Sequence, residues 1–165
     1  MLALSTVLVL AAMPTGDLGW PIWVALAPAC VALRALSWRR RLLWGFALGW
    51  LIHMVLFRWI IFSLREMSSL PDAVGLLALA LFSIWHAAPL ALFAWLGEPV
   101  RRYVTRWHLG LGPLGIASTF VAVEWLTPTL FEMPLGAPLW TVSSWSSVAA
   151  LTGSQGLSFM VVLCA

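Results

Sequence analysis

The chain has 165 residues, of which 62% are hydrophobic and 9% charged, and its mean hydropathy is +0.98. A soluble domain has about 45–50% apolar and about 25% charged residues. Nine basic and six acidic side chains cannot supply the polar surface that a water-soluble fold of this size needs, so an ordinary soluble domain is excluded. All nine basic residues are arginine, and most stand in two short clusters rather than along a groove-sized stripe, which excludes nucleic acid as a partner despite a pI near 9.7.

A crossing of the hydrocarbon core takes roughly 20 apolar residues, so the chain has room for about five or six spans and for no soluble domain. The expected fold class is all-α: one polytopic transmembrane helix bundle over residues 1–165, with five spans and the start of a sixth. The first span covers about 2–13 and is closed by Pro14 and the turn Thr15-Gly16-Asp17-Leu18-Gly19. The second covers 20–37 and stops at Arg39-Arg40-Arg41, with Arg34 near enough to its end to snorkel. The third covers 42–64, and the polar stretch from Arg65 to Asp72 ends it. The fourth, 73–97, has no Asp, Glu, Lys or Arg, and Pro89 is expected to kink it. The fifth covers 111–126. Pro128, Pro134 and Pro138 then mark an irregular outer segment with Trp140, Trp145 and Ser143, Ser144, Ser146 and Ser147, read as an ordinary interfacial loop, with a re-entrant stretch that lines a lipid entrance as the alternative. Residues 156–165 read as the opening of a sixth helix, too short to cross, and point to a chain that is the front part of a longer protein.

Charge sets the expected orientation. Arg34, Arg39, Arg40 and Arg41 flank one loop, and Arg101, Arg102 and Arg106 against Glu98 flank another; both are expected on the cytoplasmic side. The remaining loops hold Asp17, then Arg65 with Glu66 and Asp72, then Glu132, and are expected outside, with the N-terminus inside. Trp20, Trp23, Trp38, Trp59, Trp95, Trp107 and Trp140 fall near span ends, where amphipathic rings anchor at headgroup depth.

Ionisable groups inside spans are costly and mark partners or wet cavities. They are His53 and Arg58 in the third span, His86 in the fourth and Glu124 in the fifth. Arg58 and Glu124 both precede an outer boundary by a few residues, which places them at similar depth and suggests an intramembrane ion pair; the alternative has Arg58 snorkelling to the headgroups and Glu124 protonated or wet. The two histidines stand on separate spans with no third ligand in evidence, so they read as interhelical hydrogen-bonding groups, and no metal or other cofactor is expected. Gly45 and Gly49 form a small-xxx-small face suited to close helix packing. Cys30 and Cys164 lie in apolar runs and read as packing residues.

Four stretches, in order, resemble the membrane domain of the apolipoprotein N-acyltransferase family. They are Met13-Pro14 through Trp20-Pro21-Ile22-Trp23 to Pro28; Gly45-Phe46 and Gly49 with Trp59, Ser63 and Leu70-Pro71; Glu124-Trp125-Leu126; and Gly153 with Gly156-Leu157-Ser158-Phe159. The chain departs from the family where Thr127-Pro128 follows Glu124-Trp125-Leu126 in place of Arg-Gly, and where Gly136-Ala137-Pro138-Leu139 stands for Gly-Phe-Pro-Trp. Arg58 is a candidate replacement for the missing arginine. The resemblance implies a multi-pass protein of the bacterial inner membrane that handles phospholipid and a lipoprotein substrate. It implies transfer of an acyl chain to a catalytic Cys as a thioester, then to the α-amino group of a diacylglyceryl-cysteine, within a nitrilase-like domain whose Glu, Lys and Cys act as base, oxyanion stabiliser and nucleophile. No residue here inherits those roles, so this chain is expected to be inactive alone. The competing reading is a small integral membrane protein that binds lipid or scaffolds a partner.

Overall fold

The structure is a computed structural model and describes residues 1–13, 20–131, 134–141 and 143–165; the expected turn with Pro14 and Asp17, and Glu132, lie outside the described residues. Among the described residues there are helices and turns but no strand, in agreement with the all-α expectation.

The first helix, α1, is Leu2–Ala12. The expected second span is two short helices, α2 (Ile22–Ala25) and α3 (Ala27–Arg34). Proline explains the division: Pro28 has no N–H to donate to the Val24 carbonyl, so the helix restarts with Pro28 in its first turn. The restart frees the Ala29 N–H, which donates to the buried Ser5 Oγ at 2.8 Å and ties α3 to α1.

The expected third span is also broken. α4 (Trp38–Leu56) and α5 (Trp59–Ser68) meet at an angle of 48°. The break buries Phe57, only 2% exposed, and turns the neighbouring Arg58 out to the surface. Arg39, Arg40 and Arg41, expected in a loop, form the first turn of α4; Arg41 is buried there and its Nε donates to the Leu36 carbonyl at 3.1 Å. Ser69 closes α5 in the left-handed conformation, and Pro71 leads into α6.

α6 (Asp72–Thr105) is one helix of 34 residues with Pro89 and Pro99 inside it. At about 1.5 Å per residue it is roughly 51 Å long, well over a hydrocarbon core of about 30 Å, so its charged last turns stand beyond the charge-free stretch. There Glu98 accepts two hydrogen bonds from Arg101 and one from Arg102, each 2.7 Å. The bonds from Arg101, with a smaller contribution from Arg102, overcome the effect of burial and hold the Glu98 carboxyl down at about 2. A depressed carboxylate stabilises the fold above its unfolded value near 4.5 and loses that contribution as pH falls toward about 2. Glu98→Gln is expected to cost about 1 kcal/mol at neutral pH and to flatten the acid side of a melting-temperature profile between those two pH values.

α6 is the spine of the bundle. Gly45 and Gly49 of α4 lie against Leu90, Ala91, Ala94 and Ala87 of α6, and Gly75 of α6 lies against Ile61 of α5, so α4 and α5 run antiparallel to α6. α7 (Leu111–Leu126) returns along α6, with Gly112 and Gly115 against Thr105 and Val104 and with Phe93 edge-on to Phe120 at 5.1 Å. These registers bring both arginine clusters to one end of the molecule. The close packing expected of Gly45 and Gly49 is thereby an intramolecular contact.

The outer segment contains a 3-10 helix, Ala137–Thr141, and then α8 (Ser143–Cys164). The span α8 is two helical stretches joined at Gly153: the serines assigned to a loop stand in the first, and the second opens at Ser154, close to the expected 156. Gly153 breaks the helix between them, with a φ of 72° that only glycine adopts without strain. The apolar core joins Val9, Ile22, Ile52, Phe120 and Leu157 from five of these helices with Leu26 from the turn between α2 and α3.

Two helices, Asp72–Thr105 and Ser144–Cys164, are long and apolar enough to cross a membrane, and the bent pair Trp38–Leu56 with Trp59–Ser68 makes a third if it counts as one span. Ala3–Ala12, Ile22–Arg34 and Leu111–Leu126 are shorter apolar helices. Of the seven end-of-span tryptophans, all but Trp23 are exposed; Trp23 packs on Trp145 with ring centres 5.0 Å apart. Cys164 is exposed rather than packed, and Cys30 is half-buried.

Candidate functional site

The same registers bring three of the four polar residues expected inside spans to one level. His53 of α4, His86 and Pro89 of α6, and Glu124 of α7 line a cavity of about 370 Å³, closed at its other walls by Leu26, Ile52, Phe120, Leu135 and, from the bend of α8, Ser154 and Gln155. The volume lies at the low end of the range for small-molecule sites, and an apolar wall with a few convergent polar groups is their usual chemistry.

The imidazole rings are held by their own helices. His53 Nδ1 donates to the Gly49 carbonyl at 2.7 Å, and His86 Nδ1 donates to the Phe82 carbonyl at 3.0 Å. A carbonyl only accepts, so in each ring Nδ1 carries a hydrogen, and in the neutral ring Nε2 presents a lone pair. The ring centres are 5.6 Å apart, and Phe82 stacks on His86 at 4.0 Å. Phe57 stacks on His53 at 5.6 Å and lies edge-on to His86 at 5.3 Å, with Phe131 at 6.0 Å. Among the described residues no group of three or more His, Cys, Asp and Glu is placed to hold a metal ion.

Glu124 anchors the outer segment. Its Oε1 accepts from the Leu135 N–H and from the Ser158 hydroxyl, each at 3.3 Å, and Ser158 Oγ accepts from the Gly136 N–H, also at 3.3 Å. Trp85 Nε1 donates to the Pro128 carbonyl at 3.0 Å and pins the start of that segment to α6.

Arg58 is not part of this arrangement. The ion pairs among the described residues join Arg65 to Glu66 and Asp72, and Glu98 to Arg101 and Arg102; the expected Arg58–Glu124 pair is not one of them. Register is the reason. The contact of Ile61 with Gly75 puts Arg58 level with about residue 78 of α6, while that of Phe120 with Phe93 puts Glu124 level with about residue 89. Eleven residues of helix separate the levels by roughly 16 Å, so the similar depth inferred from distance to the span ends does not hold.

Of the family-motif positions, Glu124 and Trp125 line the cavity. Trp59 is exposed in α5, near Phe131, and Ser63 is half-buried one turn on. Pro71 is exposed before α6, Pro138 is buried in the 3-10 helix, and Gly156 stands in α8 against Thr152. None of these five is a cavity wall. The contributions of Ser154, Gln155 and Leu135, and the meeting of His53 with His86, were missed in the sequence. The signal for the last was present: the small residues Gly45 and Gly49 facing Ala87 and Ala91 set an antiparallel register in which residues 53 and 86 coincide.

The model of the family described as apolipoprotein N-acyltransferase N-terminal domain matches residues 5–165. An apolipoprotein N-acyltransferase of Bdellovibrio bacteriovorus is 27% identical over 146 residues, which is 87% of this chain and 25% of that protein. The chain thus spans about a quarter of the length of that relative. No solved structure matches it. With a match over nearly all of its residues, on the helices that build the cavity, the chain belongs to the apolipoprotein N-acyltransferase N-terminal domain family.

Proposed function

We propose that this chain serves as the membrane domain of an apolipoprotein N-acyltransferase-like protein in the bacterial inner membrane, where phospholipid acyl chains pass to lipoproteins. The observation that carries the reading is the family match over residues 5–165. The chain's own contribution is a bundle spanned by α6, whose arginine-rich end faces the cytoplasm with the N-terminus, and whose opposite end supports the outer segment through Glu124. The covalent chemistry, thioester formation on a Cys followed by attack of the lipoprotein amine, belongs in this reading to a nitrilase-like domain outside these residues. The chain alone neither forms nor breaks an acyl bond.

A chimera tests this. The chain replaces the corresponding quarter of the Bdellovibrio relative in cells depleted of their own N-acyltransferase, and a reporter lipoprotein's N-terminal peptide is weighed by mass spectrometry. The expected result is N-acylated peptide with the chimera and only diacylated peptide with the chain alone. A chimera that reaches the membrane at normal abundance yet leaves the peptide diacylated would favour the small lipid-binding or scaffolding protein.

A further inference from the structure

The acceptor atom of His86 has no use in the fold itself. The residue is 2% exposed, its Nδ1 is committed to Phe82, and its Nε2 is buried with no hydrogen-bond partner among the described residues. A buried polar atom left in that state costs free energy, commonly about 1–3 kcal/mol, and calls for a partner. His86 lines the cavity together with His53, whose ring is fixed in the same tautomer. Ser83 Oγ, on the same face of α6 one turn earlier, is fully buried with no hydrogen-bond partner among the described residues as well.

We propose that the cavity binds a single-chain amphiphile whose head carries an uncharged O–H or N–H donor, and that His86 Nε2 accepts that hydrogen bond. A lone pair requires a donor, which excludes the ester end of an acyl chain. The Oε1 of Glu124, which also lines the cavity, already accepts from Leu135 N–H and Ser158, and the apolar walls at Leu26, Ile52, Leu90, Phe120 and Leu135 disfavour a cationic head, whose burial is far more costly than that of a hydroxyl or amide. A volume of about 370 Å³ holds about a dozen groups at ~30 Å³ each, one medium-length chain rather than the two of a phospholipid. The site goes beyond the acyl-transfer reading, since its ligand neither gives nor receives an acyl group, and it stands or falls independently of that reading.

The chain in lipid nanodiscs is titrated with 1-dodecanol, dodecanamide and dodecyl methyl ether. Binding is followed by the fluorescence of tryptophan, which includes Trp125 in the cavity wall, and by the ¹⁵N resonance of His86 Nε2. The alcohol and the amide are expected to bind roughly five- to tenfold more tightly than the ether, the worth of one neutral hydrogen bond, and to shift the Nε2 resonance. His86→Phe is expected to keep ether binding and to erase the preference. Equal affinity of alcohol and ether for the unaltered chain would overturn the proposal, as would an Nε2 resonance that stays in place at saturating alcohol. So would failure of all three to bind, which would mean that water alone fills the site. Should the variant fail to fold, the resonance of the unaltered chain still decides.

Discussion

Gly45→Ala is expected to lower the stability of the bundle by about 1–3 kcal/mol, the usual cost of forcing atoms into a filled interface. A Cβ on Gly45 would collide with Ala94 Cβ and stand 2.8 Å from the Leu90 carbonyl oxygen. That oxygen belongs to the backbone of α6, which cannot yield without moving the spine. A Cβ on Gly49 would meet Ala87 and Leu90 at 3.0–3.2 Å, so Gly49→Ala asks for a shift of a few tenths of an ångström and is expected to cost less. The check is thermal unfolding in detergent, where each kcal/mol corresponds to about 2–4 °C for a chain of this size. Leu43→Ala, on an exposed face of the same helix, is the control and should change little. If Gly45→Ala and Leu43→Ala melted together, the close approach of α4 to α6 would be refuted. Because that approach also brings His53 to His86, Gly45→Ala should weaken occupancy of the cavity as well as the fold.

Glu124→Ala is expected to cost about 1–3 kcal/mol and to loosen the segment between α7 and α8 selectively. Its Oε1 accepts from the N–H of the buried Leu135 and from Ser158, and truncation leaves the buried N–H without that acceptor. Glu124→Gln keeps an oxygen at the same place and is expected to retain most of the stability. Limited proteolysis separates the two effects: the alanine variant should be cut faster in the stretch 127–141 than in α6, and the glutamine variant should resemble the unaltered chain. Equal loss in both variants would mean that the charge, rather than the acceptor, holds the segment.

These two experiments probe features that the sequence displayed to different degrees. Composition alone excludes water as the solvent, and an uninterrupted apolar stretch with arginines at its end identifies α6, because both depend on residue type and not on neighbours. Gly45 and Gly49 were legible as a packing face for the same reason. The break at Phe57 was not. Nothing near Phe57 resembles a helix breaker, since no proline or glycine adjoins it, and the bend there serves to bury one aromatic ring while turning Arg58 outward. At α8 the opposite happened: serines that read as loop are carried into a helix, and Gly153 breaks it before Ser154.

The sequence by itself therefore determined the medium, the helical class, the family and three of the polar residues that line the cavity, His53, His86 and Glu124. Only the tertiary structure decided which of those residues meet. Depth counted from the ends of spans paired Arg58 with Glu124, but helices of unequal length do not share their ends. The contacts of Gly75 with Ile61 and of Phe93 with Phe120 set the registers instead. They put Glu124 in one cavity with His53 and His86 and leave Arg58 about eleven residues of helix away, roughly 16 Å. Interhelical register is fixed by the fit of small side chains against a neighbouring backbone, and that neighbour is far away in the chain.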